Sequence, residues 1–526
     1  MPHAKRWLFL FHRWLGVLLC AFFALWFVSG VVMMYVGYPK LTPAERLAHL
    51  PPLRPAAVGL EPAQALARAG LEGPLQDLRL AQASGGRAVY LATPAAPDEA
   101  GVPRKRKSRA ATVIDANTGA VLRRVDRAHA VASAQAFAPG GGEGVAYLDV
   151  VGEDAFTHSR ALDPHRPLHR LRLGDRDGTV VYVSGTTGEV VRDATRTERV
   201  WNYAGAWLHW LYPLRGGVFD AYWADVVNWL SIAGIAAALA GTVVGVLRWR
   251  FAGRYQSGSR SPYRGGMMRW HHVLGLLFAL TTTTWIFSGL MSMNPWKVLD
   301  GGAPPLRLQA MHEGALALPP QPATVQALLA AASPNTRELQ WARTAGRTLV
   351  LAHGPAGAPQ VLEAATAQPY AWGEGALLQA AARLLPYPVA RTETLQAYDL
   401  HYYDRAPHTM SGGADKPLPV LRVVFDDPHA TWVHIDPHTG AVLGRTDRHR
   451  RASRWLFAML HSWDWRPLLE RRPLWDIVLI GLSLGGAALS LTGVVIGWRR
   501  LGMFRRSRAV GGHRGSGWAA RREPQP

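Results

Sequence analysis

The pentapeptide HRWLG at residues 12–16 opens the first apolar run of the chain, and HHVLG at 271–275 opens another. Each puts a histidine, with a glycine four residues on, where the chain enters a long greasy segment. Four runs lack Asp, Glu, Lys and Arg altogether: Trp14–Pro39, Val226–Leu247, Val273–Trp296 and Ile477–Trp498. A hydrocarbon core of about 30 Å takes roughly 20 apolar residues in a helix, so all four read as spans. The first is not a signal peptide. Its apolar stretch is too long, and YVGYPKLTP follows where a small-residue cleavage site belongs.

The formal charge is +21, and its placement orients the chain. Arg248, Arg250, Arg254, Arg260, Arg264 and Arg269 fall between the second and third runs with no acidic residue among them. Arg499, Arg500, Arg505, Arg506, Arg508, Arg514, Arg521 and Arg522 follow the fourth against the single Glu523, and Lys5, Arg6 and Arg13 flank the first. Basic residues in short flanking segments mark the cytoplasmic side. Both termini and the middle loop are therefore expected inside, and the long segments 40–222 and 297–473 outside. Basic residues that hug spans, with no binding motif beside them, argue against nucleic acid as a partner. Each long segment is large enough to fold as a domain. Cys20 is the only cysteine, which excludes an intramolecular disulfide, a cysteine-held iron–sulfur cluster and covalently attached haem.

The chain is written twice. Placing His12 on His271 also places Gly16 on Gly275, Trp26 on Trp285 and Ser29-Gly30 on Ser288-Gly289. Farther on, VYVSGTTGEV (181–190) falls on VHIDPHTGAV (433–442), WLHW (207–210) on MLHS (459–462) and Trp223 on Trp475. The offset drifts only from 259 to 252 residues, which means duplication of one unit. Both copies start inside, so they are parallel repeats about an axis along the membrane normal, with equivalent residues at equal depth. The expected order begins with an N-terminal segment and first span (1–39). An exterior domain with an interfacial helix (40–222), a span (223–250), a basic loop (251–270) and a third span (271–296) follow. A second such domain (297–473), a fourth span (474–500) and a basic tail (501–526) complete it.

The exterior segments read as α+β. One turn motif recurs three times, as VIDANTGAVLRR (113–124), VYVSGTTGEVVRD (181–193) and VHIDPHTGAVLGR (433–445). β-Branched residues on both sides of a polar turn ending in glycine predict a hairpin. EPAQALARA (61–69) and TVQALLAAA (324–332) carry apolar residues at helical spacing. PAAPDEAGVPRKRKSR (94–109) and APGGGEG (138–144) read as mobile surface loops.

HRWLG with a following W-x-x-SG, the strand-turn V-x-I-D-x-x-TG, and RWLFAMLHSWD leading into RPLWDIVLIGLSLGGAALSLTGVV together resemble the PepSY-associated transmembrane proteins. That family includes inner-membrane ferric-siderophore reductases of Gram-negative bacteria. The resemblance covers most of the chain and is strongest over the four spans and the second exterior segment. The first exterior segment departs from it, with the insertions just noted and Ser184 where the other two motif copies have aspartate. The resemblance implies PepSY-like exterior domains in the periplasm, b-type haem, electron transfer and a ferric siderophore as acceptor.

Four histidines hold equivalent positions in pairs. His12 and His271 stand at the inner ends of the first and third spans. His209 and His461 stand in WNYAGAWLHWLYPL and RWLFAMLHSWDW, aromatic segments expected to lie as interfacial helices at the outer face. One histidine at an interface is readily a polar anchor. Pairs at one depth are different, because imidazole ligates haem iron and a six-coordinate b-type haem takes two axial donors. Parallel repeats would offer His12 with His271 inside and His209 with His461 outside, a familiar way for helices to hold a cofactor in a shared core. Gly16 and Gly275, one turn from their histidines, would let a flat macrocycle approach the backbone; close helix packing is the plainer use of such glycines. His272 rivals His271, and the outer pair has Pro213 and Trp465 where the inner pair has glycine. Met33, Met34, Met291 and Met293 are further candidate axial ligands, although methionine in a span usually packs.

In the second exterior segment YDLHYYDRAPH (398–408) crowds Tyr402, Tyr403, Asp404, His401 and His408 together, either as strand residues facing a small core or as ligand-facing groups. No recognised spacing makes it a zinc site. The expected protein is a four-span inner-membrane carrier of two b-type haems. It would pass electrons from a cytoplasmic or quinol donor to a periplasmic iron(III) chelate. Two rivals are a non-redox, membrane-anchored PepSY module that binds a peptide or envelope partner, and a transporter. Four spans without a charged midplane count against the transporter.

Overall fold

The computed structural model describes residues 2–95, 111–215, 218–409 and 412–512. The chain divides into two compact units. One gathers 1–32, 204–299 and 452–526; the other gathers 33–203 and 300–451.

The first unit is helical. Among the described residues three helices are long and apolar enough to cross a membrane: His3–Tyr35, Asp220–Arg248 and Leu474–Gly502. The third expected span is present as two helices, Gly266–Leu277 and Ala279–Ser292, which meet at 67°. Together the pair supplies a fourth candidate span. The break falls at Phe278, whose ring occupies the place where a Cβ on Gly485 would stand. Just beyond it, the hydroxyls of Thr283 and Thr284 donate to the carbonyls of Ala279 and Leu280 at 2.8 and 2.9 Å. Back-bonding of this kind competes with the helix ladder and bends it. The apolar run 273–296 gave no sign of the bend.

The second unit is α+β, and the two long segments between the candidate spans do not fold apart. Strands β1 (Leu75–Ser84), β2 (Arg87–Pro94) and β3 (Thr112–Asp115) come from the first segment. They share one six-stranded sheet with β8 (Glu338–Thr344), β9 (Arg347–His353) and β10 (Gln360–Glu363) from the second, in the order β10-β9-β8-β1-β2-β3. Equivalent strands β1 and β8 meet antiparallel, Leu80 opposite Leu339, as a two-fold axis between duplicated units requires. Expecting one self-contained domain per segment therefore missed the seam. Alternating residues explain it: Leu78, Leu80, Tyr90, Ile114, Leu339, Trp341, Val350 and Leu362 make one continuous core. Helices Pro62–Arg68 and Val325–Ala331, the two stretches with helical spacing, bury Ala65, Leu66, Val325 and Leu328 in that core.

Each segment also builds a four-stranded sheet of its own. The first runs β4 (Ala146–Val151), β5 (Leu168–Arg172), β6 (Val180–Ser184) and β7 (Val190–Ala194), in sequence order. The second runs β11 (Val389–Leu395), β12 (Val420–Phe425), β13 (Trp432–Ile435) and β14 (Val442–Thr446) in the same way.

The recurring turn motif makes the expected hairpins. Asp115 accepts from the backbone N–H groups of Asn117 and Thr118, and Asp436 from that of His438. Ser184 accepts from Thr186 and Thr187 in the same way, so the departure from aspartate keeps the turn's side-chain acceptor. Gly119, Gly188 and Gly440 take the left-handed conformation that ends each turn. A fourth copy escaped the sequence reading. Strand β10 turns through Glu363 and Thr366 to Ala367, which holds φ 58° where the other three have glycine. Residues 96–110, most of the insertion at 94–109, lie outside the described residues. The insertion at 138–144 forms a short 3₁₀ turn, Pro139–Gly141.

Candidate functional site

The helical unit brings the four repeat-related histidines together as two pairs. The rings of His12 and His271 lie 6.2 Å apart, centroid to centroid, and those of His209 and His461 lie 6.1 Å apart. His12 and Ser29, which contacts the His209 ring, are seventeen residues apart on one helix, about 25 Å at 1.5 Å per residue.

In every ring Nδ1 is engaged. His12 Nδ1 donates to the carbonyl of Ala237 at 3.1 Å; a carbonyl only accepts, so this nitrogen carries the hydrogen. His271 Nδ1 lies 3.0 Å from Thr492 Oγ1, and that hydroxyl donates its own hydrogen to Leu489 O. His209 Nδ1 lies 3.0 Å from Ser29 Oγ, which donates to Leu25 O, and His461 Nδ1 lies 3.0 Å from Ser288 Oγ, which donates to Trp285 O. With their hydrogens committed to carbonyls, all three hydroxyl oxygens accept from the imidazoles. Each ring is thus the Nδ1–H tautomer with its lone pair on Nε2, and no Nε2 has a hydrogen-bond partner among the described residues. An imidazole held through one nitrogen and free at the other is the arrangement of a metal-ligating histidine.

The spacing limits which metal two such imidazoles could hold between them. A metal–imidazole bond is about 2 Å and a ring nitrogen sits about 1.1 Å from its centroid, so two imidazoles in line on one metal have centroids about 6.3 Å apart. Among the described residues no three or more His, Cys, Asp or Glu side chains converge as metal ligands. Two nitrogen donors alone do not complete a zinc or non-haem iron shell. They do complete one whose other four donors come from a planar macrocycle.

The backbone around His209 and His461 is built for position. A π-turn precedes each, Tyr203–Trp207 and Trp455–Met459, at the 252-residue offset of the repeat. Two residues after each histidine the chain reverses through a left-handed residue, Leu211 at φ 52° and Trp463 at φ 48°. Neither feature is common, and both gather at functional sites. Trp223 Nε1 donates to Trp210 O at 2.8 Å and Trp475 Nε1 to Ser462 O at 3.0 Å, pinning the residue after each histidine. Trp26 Nε1 donates to His209 O itself.

The glycines divide differently from the expectation. Gly16 and Gly275 do not touch their own histidines; a Cβ there would meet only Cys20 Sγ at 3.9 Å and Leu489 Cδ1 at 3.6 Å, which leaves open space beside both. The rings press on other glycines. A Cβ on Gly241 would overlap the His12 ring, and one on Gly493 would lie 3.4 Å from His271 Cε1. Gly30 and Gly289 receive the edges of His209 and His461, so the glycine that the second pair lacked at i+4 is supplied by the facing span. The repeated Ser-Gly dipeptide and the 252-residue spacing of Gly241 and Gly493 were the signals for this.

Within 481–493, Gly485 and Gly486 make helix contacts with the rings of Phe278 and Phe27, while nothing lies near Gly481. A Gly241→Ala chain should therefore fold, since alanine favours a helix by roughly 0.5–1 kcal/mol, yet lose most of whatever His12 binds. Gly481→Ala should lose none. Equal ligand retention in the two variants would contradict this packing.

His272 and His271 now separate. Both nitrogens of His272 are taken, Nδ1 at 2.8 Å from Ser261 Oγ and Nε2 at 2.9 Å from Gly245 O, and its ring is boxed by Trp249 and Tyr263. It ties the loop after the second span to the third and has no nitrogen to offer. The two pairs are complete without Met33, Met34, Met291 or Met293.

In the α+β unit Tyr402 belongs to the core. It is 1% exposed, its hydroxyl donates to Pro417 O at 2.8 Å, and its ring stacks on His434. Burial pushes its phenol pKa up, which keeps the donor protonated. Arg422 donates to His434 Nε2 and pairs with Asp399 at 2.7 Å. Burial, then this guanidinium, hold the His434 imidazole at about 3. YDLHYYD is thus partly a folded network, and Tyr402 cannot present its hydroxyl to a ligand. Tyr403 is half-buried, and Asp404 is exposed, accepting from the Arg405 N–H.

No protein-family model matches this chain, and no curated protein matches it.

Proposed function

We propose that the chain is a membrane electron carrier that holds two b-type haems, one on each histidine pair, and reduces ferric siderophores outside the cytoplasmic membrane of a bacterium. The observation that carries this is the pair of 6.2 and 6.1 Å imidazole spacings, with all four Nδ1 atoms engaged. Haem bound there supplies one-electron chemistry. The chain's residues do the rest. His12 with His271, and His209 with His461, would hold the haems through imidazole nitrogens whose tautomer the Nδ1 contacts fix. Gly16 and Gly275 leave room beside the first pair, and the apolar spans keep water from both.

The basic segments flanking His12 and His271 favour the cytoplasmic side for that pair and the outer side for His209 and His461. Similarity of HRWLG, W-x-x-SG and V-x-I-D-x-x-TG to the PepSY-associated transmembrane proteins supports an iron(III) chelate as acceptor. One electron reduces iron(III) to iron(II), which oxygen donors hold less firmly. After anaerobic dithionite reduction, adding a ferric siderophore should reoxidise the protein and release iron(II), trapped by a ferrous-specific dye. Haem that stays reduced against a broad panel of ferric siderophores would rule out the reductase while leaving an electron carrier. A chain that binds no haem would instead favour the membrane-anchored binding module.

A further inference from the structure

Ser29 and Ser288 recur at the same place in both repeats, and each contacts Nδ1 of one imidazole across a helix interface. Both are almost fully buried, at 1% and 0% exposure. Each hydroxyl hydrogen is donated back to its own helix, at 2.7 Å to Leu25 O and 3.0 Å to Trp285 O. The oxygen is therefore left as an acceptor aimed at the ring. Two serines serving only as helix caps or small packing residues would not both be set against the same atom of equivalent histidines. The first pair is held by another set, Ala237 O and Thr492 Oγ1. Thr492 has no counterpart, because Ala240 stands at the matching position.

We propose that Ser29 and Ser288 are positioning residues of the His209–His461 pair, and that Thr492 serves His271 in the same way. The three hydroxyls, together with the backbone of Trp26, Trp285 and Leu489 beside the same rings, fix the tautomer and orientation of the ligand imidazoles and raise their basicity. This rests on the haem reading. An acceptor on Nδ1–H makes Nε2 a stronger donor, which favours the oxidised, more highly charged metal and lowers the reduction potential. Removing the acceptor raises the potential at that site and leaves the other alone. No proton or bond changes hands in the step so tuned. One electron, supplied by a hydroquinone or reduced flavin on the cytoplasmic side, leaves the site it oxidises and reduces the next.

The test is a spectroscopic redox titration of the purified full chain, with the two waves assigned by His12→Ala and His461→Ala. Ser29→Ala and Ser288→Ala should each move only the His209–His461 wave to higher potential, and Thr492→Val only the other. Ser29→Thr, which keeps the hydroxyl, should leave the native value. If Ser29→Ala loses the haem of that site, rescue of both content and potential by Ser29→Thr supports the positioning role. Loss without rescue overturns it. Full haem content with both waves unmoved in all three hydroxyl-less variants overturns the proposal while the haem reading stands. A native chain without haem overturns both.

Discussion

His209→Ala should strip one haem, and only one, from the purified chain, and His461→Ala should strip the same one. The centroids of the two rings lie 6.1 Å apart, with planes at 74°, between bends repeated in both halves of the molecule. Each bend is a local distortion with a cost, and the fold keeps both. A single imidazole left in an apolar site gives a five-coordinate group with weak retention, so either substitution costs a whole occupancy. For the same reason the effects do not add, and the double variant should match either single one. His12→Ala and His271→Ala should remove the other haem by the same argument. Haem content and the low-spin spectrum of each variant check this. Full content in all four would sink the ligand assignment, and His272→Ala should keep full content because both its nitrogens are already committed.

Arg79→Ala should destabilise the α+β unit by about 3–5 kcal/mol, as expected when a buried ion pair loses one partner. Arg79 Nη1 lies 3.2 Å from Glu189 and 3.3 Å from Glu338, and its Nε 3.1 Å from Asp77. Glu189 comes from the first long segment and Glu338 from the second, and both side chains are under one-tenth exposed. Their carboxyl pKa values stay low despite burial because Arg79 and Arg46 are adjacent. Without Arg79 two buried carboxylates face each other with Arg46 as the remaining close cation, at 2.8 Å from Glu338. The β1–β8 seam should open first, read as faster amide exchange in both strands. Adding Glu189→Gln to Arg79→Ala should recover part of the loss. A loss under 1 kcal/mol, with unchanged exchange at the seam, would show that the ion pairs contribute little there.

The spans, the duplication and the pairing partners of the histidines were legible in sequence because hydropathy and a long repeat are global signals. Three features were not. The shared sheet depends on β1 meeting β8 across more than 250 residues, and alternation shows that a strand is buried without showing what it pairs with. The break at Phe278 goes with threonine back-bonding and a ring seated over Gly485 on another helix, neither of which hydropathy registers. The fourth turn hid because Ala367 holds a left-handed conformation without the glycine that announces one. At the candidate site, sequence looked for room beside His12 and His271 within their own helices. The structure leaves open space at Gly16 and Gly275 and adds Gly241, Gly493, Gly30 and Gly289 from facing segments, which sequence did not single out. Sequence left Tyr402 open between a core and a ligand-facing role, because the internal acceptor of its hydroxyl, Pro417 O, exists only in the folded loop.

The most direct test of the central claim is the haem-to-protein ratio of the full-length chain purified from membranes, measured with its oxidised and reduced visible spectra. Two imidazole pairs require about two non-covalent b-type haems per chain, both low-spin and six-coordinate. Protein that is folded, retains its spans and carries no haem after expression with ample haem supply would contradict it.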